Sequence, residues 1–167
     1  MEEIDQYFNQ VYDQYVNKIY RFIYLKVSLV ETAEDLSSEV FLRLYRHIQK
    51  NNPVIENPQA FVYQIARNVI ADHYRSKKIT VVSIEKTTIE IEDIHERTRE
   101  QGEVSLEMDR IKEAIAKLQG DQQDLIIWRY VDELTVPEIA QITGKTEENV
   151  RVGVHRAIQA LKGKVDV

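Results

Sequence analysis

Two short helices around a glycine turn are written into the stretch from Thr135 to Lys162, TVPEIAQITGKTEENVRVGVHRAIQALK. Thr135 is placed to N-cap the first, and Glu138, three residues on, completes a capping box. Pro137 falls in the first turn, where a missing N–H costs little. Ile139, Ala140 and Ile142 give this helix an apolar side, and Gly144 supplies the break. Thr146 can cap the second helix, with Glu147 and Glu148 set favourably against its dipole. Val150, Val154, Ala157 and Leu161 then recur at helical spacing as one buried stripe. Glu148, Val152, His155 and Gln159 point the other way, flanked by Arg151 and Arg156. This is the helix-turn-helix pattern, whose second helix enters a DNA major groove. An ordinary helical hairpin in a bundle is the alternative.

The chain of 167 residues has room for one ordinary domain or two small ones. A hydrophobic fraction of 43% with 30% charged residues fits a globular protein. The absence of cysteine excludes a disulfide framework and a thiolate metal site. No apolar run approaches a membrane span and the acidic N-terminus does not read as a signal peptide, so direct membrane insertion is not expected and a cytoplasmic location is. Few Gly and Pro favour long helices over many-turned sheets. The net charge of −6 opposes nucleic-acid binding until its distribution is considered. Between Glu85 and Asp109 nine acids face three bases, which accounts for the whole excess. An acidic stretch between two formally neutral parts reads as a linker. The chain therefore divides into an all-α N-terminal domain (1–78), a flexible acidic linker (79–104) and an all-α helix-turn-helix domain (105–167).

Ile4, Phe8, Val11, Tyr15, Ile19, Phe22 and Ile23 predict a long first helix running to about Val27. A second opens at Thr32, buries Ala33, Leu36, Val40, Phe41, Leu44 and Ile48, and carries Glu34, Asp35, Ser38, Glu39, Arg43 and Arg46 outward. Asn57-Pro58 starts a third, with Asn at the N-cap and Pro at the first helical position. Phe61, Ile65 and Val69 form its core side, with Val62 as a further candidate. Its end, with Arg67, Arg75, Lys77 and Lys78 interleaved with Tyr63 and Tyr74, suits phosphate contact and base stacking, or else a solvated basic helix end. From Ile79 the helical period is lost; ITVVSI has the composition of a short strand and the remainder is acidic and polar. The linker allows the two halves to sit far apart. Ser105 caps a helix bearing Met108, Ile111, Ile115 and Leu118 that ends at Gly120, and Asp121 opens the next, with Leu125, Ile126, Trp128 and Val131.

No phosphate loop, nucleophile elbow or His-Glu-x-x-His pair is present, and His47, His73, His95 and His155 lie at no ligand spacing. No catalytic residue, cofactor, metal or small-molecule substrate is expected.

Three motifs in order carry a family likeness. AEDLSSEVFLRLYRHI (Ala33–Ile48), IARNVIADHYRSKK (Ile65–Lys78) and DLIIWRYVDELTVPEIAQITGKTEENVRVGVHRAIQALK (Asp124–Lys162) resemble the polymerase-binding helix, the promoter-binding helix and the C-terminal DNA-binding domain of bacterial ECF-type sigma factors. The resemblance implies that Asp35, Leu36, Glu39, Val40, Phe41 and Arg43 dock on the clamp of core RNA polymerase. It places Arg67, Asn68, Asp72, His73, Arg75, Lys77 and Lys78 at the minus-ten promoter element, and the loop from Asn52 to Asn57 as a specificity loop holding an unstacked base. It puts Thr146, Asn149, Arg151, Val152, His155 and Arg156 on the minus-thirty-five element. The partners it implies are core polymerase (clamp and flap), promoter DNA and an anti-sigma factor, which can hold the protein at the membrane. The chain departs from the family in having Ser38 for Gln, Gln119 for Pro, Glu148-Asn149-Val150 for Gly-Thr-Val, and Val152-Gly153 for a polar, basic pair. The competing readings are a free helix-turn-helix regulator and a polymerase adaptor that does not bind DNA.

Overall fold

The computed structural model describes residues 2–51, 55–79 and 106–165, and every element among them is helical. The linker therefore lies outside the described residues apart from Ile79, which is the last residue of a helix; so do the ITVVSI strand, the Ser105 cap and Asn52.

Helix α1 (Glu2–Val27) buries Val11, Tyr15, Ile19, Phe22 and Ile23 as its spacing requires. It ends at Ser28, which takes a left-handed φ of 65° while its N–H bonds the Tyr24 carbonyl at 2.8 Å. That tight reversal lets the Leu29 carbonyl accept from Ala33 N–H at 2.9 Å, so α2 (Val30–Asn51) starts two residues before the expected Thr32. Helix α3 (Pro58–Ile79) opens as its sequence predicts: Ala60 N–H donates to Asn57 Oδ1 at 3.1 Å. Its buried side is Val62, Tyr63, Ala66, Val69 and Ile70, while Phe61 and Ile65 are half-buried. The stripe is thus rotated from the predicted one, because α3 is packed by three elements (α1, α2 and a helix of the other half) rather than by one.

In the second half, α4 (Leu106–Ala116) stops short of Gly120. Gly120 instead begins α5 (Gly120–Ile126), with Gln119 rather than Asp121 at the N-cap. Ile115 and Leu118 are buried as expected, but Ile111 is exposed and Lys112 takes a buried place instead. The cause is α1: Lys112 Nζ lies 5.3 Å from the centre of the Tyr24 ring and reaches Asp109 at 4.0 Å. Helix α5 runs into one π-helical turn, Ile127–Val131, closed by Asp132 N–H on the Ile127 carbonyl at 2.8 Å. Helices α6 (Val136–Thr143) and α7 (Glu147–Val165) follow. The capping box at Thr135 and Glu138 is complete, and Gly144 sits at φ 72°, where a side chain would be strained.

The two halves pack on each other: α6 lies on α3, and α1 touches both α4 and the π turn. The far-apart arrangement that the linker allows is not the one in this structure. Their joint core includes Phe22 stacked on Trp128 at 5.6 Å, with the Tyr63 ring edge-on at 6.0 Å.

Candidate nucleic-acid interface

The outward face of α7 is built by local rules. Thr146 Oγ1 accepts from Asn149 N–H at 3.1 Å, fixing the first turn. Val150, Val154 and Ala157 face inward, and Leu161 is half-buried beside them. Thr146, Asn149, Arg151, Val152, His155 and Arg156 all point to solvent, as the helical period requires. Arg151 meets Glu147 at 3.8 Å in an exposed pair of little energetic weight. At Gly153 a Cβ would lie 2.9 Å from Leu125 Cδ1, the end of a flexible side chain on α5.

On α3 the candidate residues fare differently. Asn68, Arg75 and Lys77 are exposed, and Asp72 and His73 are half-buried. Asp72 accepts from Arg75 at 2.5 Å and from Arg43 of α2 at 3.1 Å, so it braces two cations rather than presenting a free carboxylate. Burial, assisted by Lys77, pushes the His73 pKa down and favours the neutral ring. The side chain of Lys78 lies outside what is described. Asn57 serves as the helix cap. Tyr63 is no stacking platform: it is fully buried, and burial with the neighbouring Asp132 drives its phenol far above the ordinary range. Tyr74 is exposed but donates to the Lys26 carbonyl at 2.9 Å.

On α2, Asp35 is exposed, Leu36 half-buried, and Glu39 accepts from Arg43 at 2.9 Å. Val40 and Phe41 lie in the core at 0% and 4% exposure, where they fix the helix and cannot touch a partner. Leu42, exposed at 43%, was missed. Its spacing from Asp35, Glu39 and Arg46 puts it at the centre of the charged face, a signal hidden by assigning apolar residues inward.

Two buried acids on the C-terminal half tie it to the N-terminal half. The Asp132 side chain, 0% exposed, accepts from Arg21 Nε at 3.1 Å and Nη2 at 2.5 Å, and from Tyr63 Oη at 2.6 Å. Asp124, at 5%, pairs with Lys26 and lies 3.4 Å from Arg67 Nε. Burial pushes the Asp124 carboxyl up, against the pull of Lys26 and Arg67. Arg67 also lies 5.7 Å from the centre of the Trp128 ring.

Residues 11–79 match Sigma-70 region 2, and residues 108–161 match Sigma-70, region 4. The chain is 35% identical over 157 residues to the ECF RNA polymerase sigma factor BldN of Streptomyces coelicolor, covering 92% of this chain and 58% of that one. It is 30% identical to the ECF RNA polymerase sigma factor SigW of Bacillus subtilis, covering 93% of this chain and 87% of the relative. The chain belongs to the ECF RNA polymerase sigma factors. The fold agrees: the sigma factor RpoE of Bartonella quintana, solved in complex with the anti-sigma factor NepR, superposes with a TM-score of 0.69 at 19% identity, covering 96% of this sigma factor and 97% of RpoE. As a sigma factor, the chain directs transcription initiation. Among the described residues, no helix is long and apolar enough to cross a membrane, and no cluster of three His, Asp or Glu side chains is placed to hold a metal ion.

Proposed function

We propose that this chain is an alternative sigma factor that binds bacterial core RNA polymerase through α2, reads promoter DNA with α3 and α7, and carries out no bond chemistry itself. The observation that carries this reading is the occurrence of both sigma regions, in order, with the whole recognition face of α7 in solvent. We assign polymerase docking and the minus-ten element to residues 1–78 and the minus-thirty-five element to 105–167, joined by the linker at 79–104. The polymerase face comprises Asp35, Leu36, Glu39, Leu42 and Arg43, whose target is the clamp; the flap is a further region of core polymerase that the chain contacts. Arg67, Asn68, Asp72, His73, Arg75, Lys77 and Lys78 form the minus-ten surface, with Asn52 and Asn57 in the specificity loop. Thr146, Asn149, Arg151, Val152, His155 and Arg156 form the upstream-reading surface. By likeness to RpoE, an anti-sigma factor is a further partner, and a membrane-bound one would tether this cytoplasmic protein. Two modestly basic patches neutralise few phosphates, so the free chain binds DNA weakly.

Run-off transcription with sigma-free core polymerase tests the reading, using fragments of the source genome as template. Discrete new starts are expected, lost on Asp35→Ala with Glu39→Ala and lost again on Arg151→Ala with Arg156→Ala. Absence of starts with an intact, folded chain refutes it. Starts insensitive to the second pair support the polymerase adaptor instead.

A further inference from the structure

Gln59, Gln64 and Arg67, on the polar side of α3, are engaged by acceptors from the other half of the chain. Gln59 donates to Glu138 Oε2 at 2.6 Å, and Gln64 donates to the Ile142 carbonyl at 3.0 Å. Arg67 faces Asp124 at 3.4 Å and Asp121 at 4.0 Å. Lys26 of α1 joins Asp124 and reaches the Gly120 carbonyl at 3.4 Å. Every one of these partners is an oxygen acceptor, and three are carboxylates. A row of anionic oxygens is also what a nucleic-acid backbone presents to a helix. Helix α5 stands over Arg67, so a DNA strand and the C-terminal domain cannot occupy that place together.

The two acid sites are not equivalent. Asp132 has both carboxylate oxygens satisfied inside the core. Asp124 borders a cleft of about 660 Å³ between α1, α3 and α5, also lined by Asp121, Asn68 and Tyr74. The Arg67 side chain, 36% exposed, lines that cleft. Arg21 and Arg67 reach solvent to the same extent, but only the Arg67–Asp124 pair opens on this cleft, where an incoming anion can exchange.

We propose that the C-terminal domain masks the Arg67 part of the minus-ten surface with its own carboxylates: Asp121 and Asp124 stand where promoter phosphates bind, and DNA displaces them. Asp132, with Arg21 and Tyr63, is the lock that holds the mask shut. This rests on the sigma reading for the role of Arg67. It makes the low DNA affinity of the free chain a property of closure, beyond any shortage of basic charge. A chain whose competent form is about 1–10% populated gains about 10- to 100-fold in apparent affinity when fully opened.

The test uses the full chain, a short fluorescent single-stranded DNA oligonucleotide, and Trp128, the one tryptophan in the sequence, as a built-in reporter of opening. Asp121→Asn with Asp124→Asn removes the mask. Glu113→Gln with Glu148→Gln makes the same change in net charge at exposed positions on α4 and α7. Tyr63→Phe weakens the lock with no change in net charge, and circular dichroism checks that each variant remains helical. The expected result is a red shift of Trp128 emission and at least a tenfold rise in DNA affinity for both the mask and the lock variants. The charge control should rise much less, and Arg67→Gln should abolish the gain. Mask and lock variants that bind DNA no better than the charge control and the wild type, respectively, would overturn the proposal. Promoter-specific starts on polymerase distinguish the two failures: if they persist, only the masking inference falls, and if they are absent, the sigma reading falls with it.

Discussion

Helices α3 and α7 both carry residues proposed to face DNA, and the fold treats them oppositely. The reading face of α7 is in open solvent, set by a threonine cap and an apolar stripe within one sequence segment. On α3, Asn68, Arg75 and Lys77 are exposed, but the cation Arg67 is engaged by acids more than fifty residues away. A surface that local sequence builds can be free as soon as it folds. A surface shared with a distant element is available only when that element leaves.

The largest way to break this contrast is at Asp132. Removing its carboxylate leaves Arg21 and Tyr63 without their shared acceptor. Asp132→Ala is expected to cost about 3 kcal/mol, the low end for breaking a buried pair, because Arg21 still reaches solvent. Urea unfolding followed at Trp128 and by far-ultraviolet circular dichroism should then give two separate midpoints. Coincident midpoints at the wild-type denaturant concentration would show that Asp132 does not couple the halves.

The open face makes the converse prediction. Arg151→Ala should weaken binding to the upstream element on the order of 2 kcal/mol. It should leave thermal stability unchanged, because its ion pair with Glu147 is exposed. A promoter titration of the polymerase holoenzyme measures the first, and a melting curve of the free chain the second.

The same contrast explains how much could be read beforehand. The Thr135–Glu138 box, the Gly144 turn, the Thr146 cap and the buried side of α7 follow from residues within a few positions of each other, and each is found as expected. Asn57-Pro58 is legible for the same reason. Lys112 is not: its buried position depends on Tyr24, and no period within α4 encodes that. Tyr63 looked like a base-stacking ring beside basic residues until Asp132 and Trp128 claimed it. The π turn at Ile127–Val131 has no composition signal, yet Trp128 and Asp132, two residues that join the halves, come from it or directly follow it. At the candidate site, sequence located the helices and most of their outward residues. It could not show which would be occupied, because the acids that occupy them lie on other helices.

A smaller effect sharpens the local side of the comparison. Thr135→Ala removes one half of the capping box and should cost about 1 kcal/mol. The Thr135 backbone N–H, which donates to Glu138 at 3.0 Å, together with Gln59, holds the Glu138 carboxyl below its usual pKa. A carboxylate depressed in the folded state stabilises above its ordinary pKa, and that contribution is lost as pH falls through the depressed value. The stability of wild type should therefore fall in that acid window more steeply than that of Glu138→Gln. Parallel pH profiles of the melting temperature would remove Glu138 from the account.

The smallest effect concerns Gly153, where local and long-range demands meet on one residue. Inside a helix, alanine is favoured over glycine by up to about 1 kcal/mol. Against this, the new Cβ would lie 2.9 Å from Leu125 Cδ1, closer than carbon atoms rest. That atom is the end of a flexible side chain on α5, not backbone, and Leu125 is only half-buried, so it can turn aside at small cost. The two terms nearly cancel for Gly153→Ala, and the melting temperature should move by no more than a few degrees. A larger side chain cannot be absorbed this way, so Gly153→Leu should force α7 away from α5 and lower the melting temperature clearly. If alanine already does so, Leu125 has no room to move, and the recognition helix is held in place by packing as firmly as the masked helix is by charge.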